Sequence, residues 1–363
     1  MHERTASRFR RFAEVEAVGN DSPLYAKLAS WVATDSELLE LAEECRDGQP
    51  APNMLFAAAQ LLLGRHQNEE LAAYYPSMGG ARPADDAAGP AFHEFCVRHR
   101  DEIVQILRER MVQTNEVRRS ALLLPAFADI ATEAGRPLSL VEIGPSAGLN
   151  LLFDRYAYDY GDGLRAGAGS AVVLECESRG APPPLVLPRV ASRAGIDINP
   201  LDVTSPGDVE WLRALVWPEH DDRRALLDAA INVAAKEPPR LIGGDVFELL
   251  PEEAAAAPDG SALCVVATFV LNQFSRPDLA RFRSMLEALS CRRPVWLVVI
   301  GLTEFVLQGE HDGQAIRVWT LRIDGGKGLY RLSSLCNPHG RWIEYQPNEP
   351  YVEWLPWDET GNA

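Results

Sequence analysis

Lysine is nearly missing from this chain of 363 residues: Lys27, Lys236 and Lys327 are the only three among 35 basic side chains. Arginine suits bidentate anion contacts, although in so alanine-rich a chain its dominance also follows from genome composition. Long apolar runs are missing too. The longest, Ala262 to Leu271 and Val295 to Leu302, fall far short of the ~20 residues a membrane-spanning helix needs. The opening MHERTASRFRRFAEVE has basic residues with no apolar stretch behind them, so no secretory signal is expected. Cys45, Cys96, Cys176, Cys264, Cys291 and Cys336 are scattered, with no Cys-x-x-Cys and no close His partner. That argues against zinc fingers and disulfide scaffolds, and for free buried thiols in a reducing cytoplasm. No Gly-Lys-Ser or Gly-Lys-Thr occurs, which removes a phosphate-gripping P-loop.

Positive charge is in deficit overall. Against 35 basic residues stand 52 acidic ones, a net −17, so the surface field repels phosphate backbones and nucleic acid is not an expected partner. What is present is ordinary for a globular protein: 47% apolar and 24% charged residues, at a length that supports about two domains.

Two textures meet near residue 136, giving an expected helical N-terminal cap region, 1–135, and a sheet domain, 136–363. In the first, Ser22-Pro23 opens a helix with Leu24, Leu28 and Trp31 on one face. Asp35 precedes another, and Pro52 opens a third that is apolar on most sides. Tyr75 to Gly89 reads as a loop. From Pro90 the residues Phe92, Phe95, Ile103, Ile106 and Leu107 recur at helical spacing, and a last helix, Glu116 to Glu133, stops at Gly135. His93 and His99, six apart, project from different helix faces and make poor co-ligands for a metal; with His66 they read as solvated or hydrogen-bonded side chains.

After 136, short Val-, Ile- and Leu-rich runs alternate with amphipathic helices, the pattern of βαβ units on a mostly parallel, doubly wound, Rossmann-like sheet. Strands are expected at Leu138–Ile143, Val190–Ile198, Arg240–Gly244, Leu263–Phe269 and Val295–Ile300, with Gln314–Ile323 and Arg341–Tyr345 as a terminal antiparallel pair. Helices are expected at Ala147–Tyr156, Asp208–Trp217, Asp222–Ala235 and Pro277–Ser290. The Gly- and Pro-rich tract at 159–188 reads as an insertion on the rim.

Three of these strands end in an acid. Glu142 closes the first and leads through Gly144, Pro145, Ser146, Ala147 and Gly148 to Asn150, a turn whose small residues let a ligand approach backbone N–H groups. Asp197 closes the second, where a carboxylate suits the two hydroxyls of a ribose. Asp245 closes the third, with Val246 beside it, where an adenine amino group could be held. A closely packed βα turn and two helix N-caps remain the plainer alternatives.

Glu142-x-Gly144-x-x-x-Gly148, Gly195-Ile-Asp-x-Asn-Pro200 and Gly244-Asp-x-x-x-Leu-Leu-Pro251 resemble the class I S-adenosylmethionine-dependent methyltransferases over residues 136–363. The wider chain, including Thr114 to Arg119 and Pro338 to Trp342, resembles a bacterial domain-of-unknown-function family, number 2332. The resemblance implies a methyltransferase-type sheet. It places Glu142, Gly144, Ser146 and Gly148 around the methionine part of the cofactor, Asp197 at the ribose, and Asp245 with Val246 at the adenine. This sequence departs from the pattern at Ser146, where a glycine is usual, and by about thirty extra residues before the Asp197 strand. A nicotinamide site would need glycine at Ser146 and Leu149 and has neither.

Methyl transfer from a sulfonium depends mainly on positioning. The polar groups at the sheet's carboxyl rim are therefore the candidates: Thr268, Asn272 and Gln273 to hold the acceptor, and Glu304 as a base, each also readable as a cap or turn residue. Asn115, Glu116 and Arg119 form a polar cluster that suits either a lid or a helix cap. The expected function is methylation of a small molecule with S-adenosylmethionine. The alternatives are a non-catalytic binding or scaffold protein on the same sheet, and an enzyme using another nucleotide.

Overall fold

The computed structural model describes residues 2–66, 69–301 and 316–354. The chain divides into two compact units, Met1–Thr114 with Thr204–Leu227, and Asn115–Val203 with Asp228–Ala363. The first unit is helical, with α1 (Glu3–Arg11), α2 (Pro23–Val32), α3 (Ser36–Ala42), α4 (Ala51–Arg65), α5 (Ala88–Arg98) and α6 (Arg100–Glu109). The Asp35 carboxylate accepts from Glu37 N and Leu38 N, both at 3.1 Å, and so caps α3 as its position suggested. Every residue from Met54 to Leu63 is buried, which makes α4 the axis of the unit. The Phe56 ring sits among Phe9, Phe12, Tyr25 and Phe92, with centroids 4.6–5.9 Å away. The helical run after Pro90 breaks at His99, whose backbone (φ −106°, ψ 25°) separates α5 from α6.

The second unit opens with α7 (Ser120–Ala134), which ends at Gly135 in the left-handed conformation (φ 61°), as its glycine suggested. Then follow β1 (Leu138–Ile143), a 3₁₀ turn at Leu149–Arg155, β2 (Ala157–Asp159), β3 (Arg165–Ala166), β4 (Val173–Glu175), β5 (Glu177–Gly180) and β6 (Val190–Asp197). Next come α8 (Pro206–Ala214), which belongs to the helical unit, and α9 (Asp221–Ala234), β7 (Arg240–Gly243), α10 (Val246–Ala256), β8 (Ala262–Thr268), α11 (Arg276–Ser290) and β9 (Val295–Ile300). The described chain closes with β10 (Ile316–Asp324), β11 (Lys327–Cys336), β12 (Trp342–Tyr345) and β13 (Val352–Glu353).

The large sheet has the order β5-β12-β11-β10-β9-β8-β1-β6-β7, with β13 beside β11. Strands β9, β8, β1, β6 and β7 are parallel, whereas β10, β11 and β12 alternate in direction. The fold is thus mixed α/β around a large, mostly parallel sheet. Two expectations need correcting. The late strands do not pair with each other, because β11 lies between them and pairs with both. It is joined to β10 through Gly325 and Gly326, both at positive φ (56° and 79°), the geometry of a two-residue hairpin. The helix expected from Ala147 is the 3₁₀ turn instead, and α10 was not anticipated, with Pro251 inside it. The 159–188 tract holds most of a small sheet, β3-β2-β4, and the edge strand β5.

Successive strand residues face opposite sides of a sheet. Val141, Ile143, Ile196, Leu263, Val265, Leu297 and Val299 form one core with Leu250, Ala254, Phe282 and Leu286 of α10 and α11. The intervening residues Leu140, Glu142, Cys264, Val266, Val298 and Ile300 are buried too, on the face opposite that core. All six thiols are free, but only four are buried: Cys45 is half-buried and Cys291 exposed. No described helix is long and apolar enough to cross a membrane.

Gln60 is the polar exception within α4. Buried, it donates from Nε2 to the carbonyls of Ala214 (3.0 Å) and Val216 (2.6 Å), satisfying acceptors that the end of α8 leaves open. Gln60→Leu should lower unfolding stability by about 1–3 kcal/mol, the desolvation scale of stranded acceptors, as read by urea denaturation. A change within ±0.5 kcal/mol would remove this role.

Candidate functional site

From β1 the chain steps to β6 and β7 on one side, then returns to β8 and β9 on the other. Open α/β sheets bind ligands outside the carboxyl ends of the strands where the order reverses in this way. The backbone there is left-handed at four residues, two of them not glycine. Gly144 (φ 65°), Ser146 (φ 56°) and Gly148 (φ 71°) are left-handed after β1, and Phe269 (φ 58°) is left-handed just after β8. Non-glycine residues in that region cost of order 1–3 kcal/mol and persist where their surroundings hold them. At Ser146 the holder is Asp197. Its Oδ2 accepts from Ser146 N at 2.8 Å and its Oδ1 from Asn199 N at 2.9 Å, tying the end of β6 to the turn after β1.

Glu142 pairs in register with Gly195 of β6, two residues before Asp197, so both carboxylates project to the same face of the sheet. Glu142 is fully enclosed, and the Thr268 hydroxyl donates to its Oε1 at 3.4 Å. Burial pushes its pKa up to about 8; the Thr268 hydrogen bond and the Arg119 charge work against this, while the charge of Asp197 adds to it. Burial also raises Asp197, against the two backbone N–H groups that favour its ionised form. A protonated carboxyl beside a second carboxylate, poised to exchange a proton near neutral pH, is a chemically useful pair.

Asn115 to Arg119 line this rim as a packed wall. Asn115 Oδ1 accepts from Leu149 N at 3.1 Å, and buried Glu116 accepts from Arg118 N at 3.3 Å and lies 3.7 Å from His339 Nδ1. The Arg119 guanidinium stacks on Phe269 (4.1 Å to the ring centroid) and donates to Pro338 O at 3.2 Å. A Cβ on Gly340 would fall 2.6 Å from Arg118 O, so this wall and the turn at 337–341 touch closely. Asn150 faces inward, its Oδ1 accepting from Ser120 Oγ at 2.9 Å.

Other expected site residues stand apart from this group. Asp245 is exposed and caps α10 through Phe247 N at 2.8 Å, and Val246 packs on the α10–α11 core. Asn272 and Gln273 are exposed on a 3₁₀ turn after β8, while Glu304 lies outside the described residues. Pro145, Ser146, Ala147 and Gly148 are all buried. The glycines of the turn pack on the protein itself: a Cβ on Gly144 would meet Val270 at 2.6 Å, and one on Gly148 would meet Pro239 at 2.8 Å. Phe269 and His339 join the site only through the fold. A phenylalanine gives no sign in sequence that its backbone will be left-handed, and His339 lies more than 200 residues from the Glu116 it approaches.

Over residues 6–345 the chain matches the family described as "Uncharacterized protein conserved in bacteria (DUF2332)". The chain belongs to this family. No curated protein matches it. The DUF2332 match covers residues of both units.

The carboxylate pair sets a pH dependence for this DUF2332 chain. With the folded pKa of Glu142 raised to about 8, the folded state holds a proton that the unfolded chain releases near pH 4.5. Between those values the unfolded state binds fewer protons, so stability falls as pH rises. Glu142→Gln should abolish that loss, worth on the order of 4 kcal/mol across the window. Urea denaturation of both proteins at pH 5, 6.5 and 8 reads it. A difference between them that stays flat with pH would mean Glu142 is ionised in the folded protein.

Proposed function

We propose that the protein binds S-adenosylmethionine at the carboxyl rim of β1 and β6 and transfers its methyl group to a small-molecule acceptor. The observation carrying this reading is the placement of Glu142 and Asp197 on one face of adjacent parallel strands, flanking a left-handed turn where the strand order reverses. In this reading Asp197 accepts from the ribose hydroxyls, and the turn at Gly144 to Gly148 faces the methionine part. As the sulfonium carbon–sulfur bond breaks and the bond to the acceptor forms, the acceptor's proton passes to a base. Thr268 sits beside Glu142 to help position the reacting groups, with Asn272 and Gln273 further along the rim. Asp245 and Val246 serve the adenine only through the exposed end of the Asp245 carboxylate, since its Oδ1 caps α10.

One observation favours a second reading, a ligand-binding protein that transfers nothing. The turn glycines are filled against Val270, Pro239 and Leu241 rather than facing open space. Calorimetric titration with S-adenosylmethionine and S-adenosylhomocysteine separates the cases. The methyltransferase reading expects heat from both, and Asp197→Ala weakening binding by ~1.5–3 kcal/mol, the scale of a charged hydrogen bond. Absence of heat from either compound, with a cooperatively folded sample, refutes cofactor binding. Binding without methyl transfer to any acceptor in a small-molecule panel favours the second reading.

A further inference from the structure

His66 ends α4, Glu69 precedes the 3₁₀ turn Glu70–Tyr74, and His99 and Glu102 straddle the start of α6. The fold brings these four side chains to one corner of the helical unit. His99 and Glu102 are three apart on one helical face, and the His99 Nδ1 lies 3.0 Å from Glu102 Oε1. His66 Nε2 approaches the same oxygen at 3.7 Å, and the two imidazoles stack with centroids 4.6 Å apart. One ligand atom from each of His66, His99 and Glu102 lies within 4.8 Å of the other two. A zinc ion with ~2.1 Å bonds in tetrahedral geometry sets its ligand atoms about 3.4 Å apart. The observed spacings bracket that value. Both imidazoles can aim a lone pair at one ion only if the His66 ring turns out of the stack, and the His66 and Glu102 side chains, 41% and 51% exposed, are the two with room to move.

A second feature points the same way. The other ring nitrogen of His99, Nε2, faces Glu69 Oε1 at 3.3 Å, and Glu69 is itself held by Arg98. A metal-bound histidine characteristically donates its second ring N–H to a carboxylate, which fixes the tautomer and raises the basicity of the ligating nitrogen. Here that carboxylate is in place behind a ring that is only 11% exposed, while Nδ1 looks toward Glu102 and the His66 ring lies over the face of His99. We infer that His66, His99 and Glu102 form a binding site for a divalent ion of borderline softness, zinc or a close substitute, with Glu69 orienting His99 and the fourth position open to water. Two imidazoles and one carboxylate are the donor set that selects such an ion over magnesium or calcium. Bound there, the ion ties the end of α4 to the α5–α6 junction.

The test uses the full untagged chain and zinc itself, with cobalt(II) as the optical probe. One zinc per chain should bind with a Kd below ~10 µM at pH 7.5, and zinc should raise Tm. His66→Ala, at a half-exposed position that leaves the fold intact, should weaken binding at least tenfold. Glu69→Gln should weaken it about 10–100-fold, as expected for a carboxylate behind a ligating histidine. His93→Gln, at the His93–Asp35 pair elsewhere in the unit, should change nothing. The cobalt complex should show d–d bands without a thiolate charge-transfer band, which sets aside the exposed Cys291. No stoichiometric zinc binding, equal affinity in His66→Ala, or a thiolate band would each overturn the site.

Discussion

Strand β1 has no free edge and no free face. β6 and β8 pair along its two sides, and all six of its residues, Leu138 to Ile143, are buried. A strand enclosed in this way can carry polar chemistry only at its end, and Glu142 is its second-to-last residue. The carboxyl cannot reach water, so it keeps its proton. Its nearest donor is Thr268 of the next strand, and the nearby Asp197 carboxylate accepts one backbone N–H on each oxygen, from Ser146 beyond β1 and from Asn199 beyond β6. The left-handed turn follows from the same geometry: the chain leaves a buried strand through Gly144, Ser146 and Gly148, with Gly144 N bonded to Ile196 O of β6 and Ser146 N to Asp197.

Much of the parallel sheet was legible because buried strands leave a plain mark. β1 and β9 match their expected bounds, and β6, β7 and β8 differ only by a residue at their ends. The antiparallel flank was harder to read. β11 mixes Arg331, Ser333 and Ser334 with its apolar residues, since Thr320 and Ser333 pair their hydroxyls at 2.6 Å inside the sheet. A polar pair of that kind looks like loop sequence until its partner is known. The division of the chain was also hidden. Residues 204–227, which follow a strand, fold with the helical unit, and α7, which sits among helices in sequence, folds with the sheet.

At the candidate site, the sequence showed which strands would end in acids but not which way those acids would point. Glu142 and Asp197 share a face because of register, and register depends on pairing across the chain. Asp245 looked equivalent, yet its strand is followed directly by α10, whose first N–H groups claim its carboxylate. The histidines show the same limit. In sequence the nearest histidine to His99 is His93, whereas the fold sets it against His66 at the end of another helix.

The edge strand β5 pairs in parallel with β12, which lies about 165 residues further along the chain. Contacts this distant in sequence form late, because the loop must close before they contribute anything. During synthesis, then, Glu177–Gly180 must wait for Trp342–Tyr345 to emerge before it can pair. Its charged and polar side chains, Glu177, Ser178 and Arg179, suit that interval, since an unpaired edge rich in charge resists joining the wrong strand. The β5–β12 seam therefore joins the middle of the chain to one of its later strands, and it can close only once both have been made.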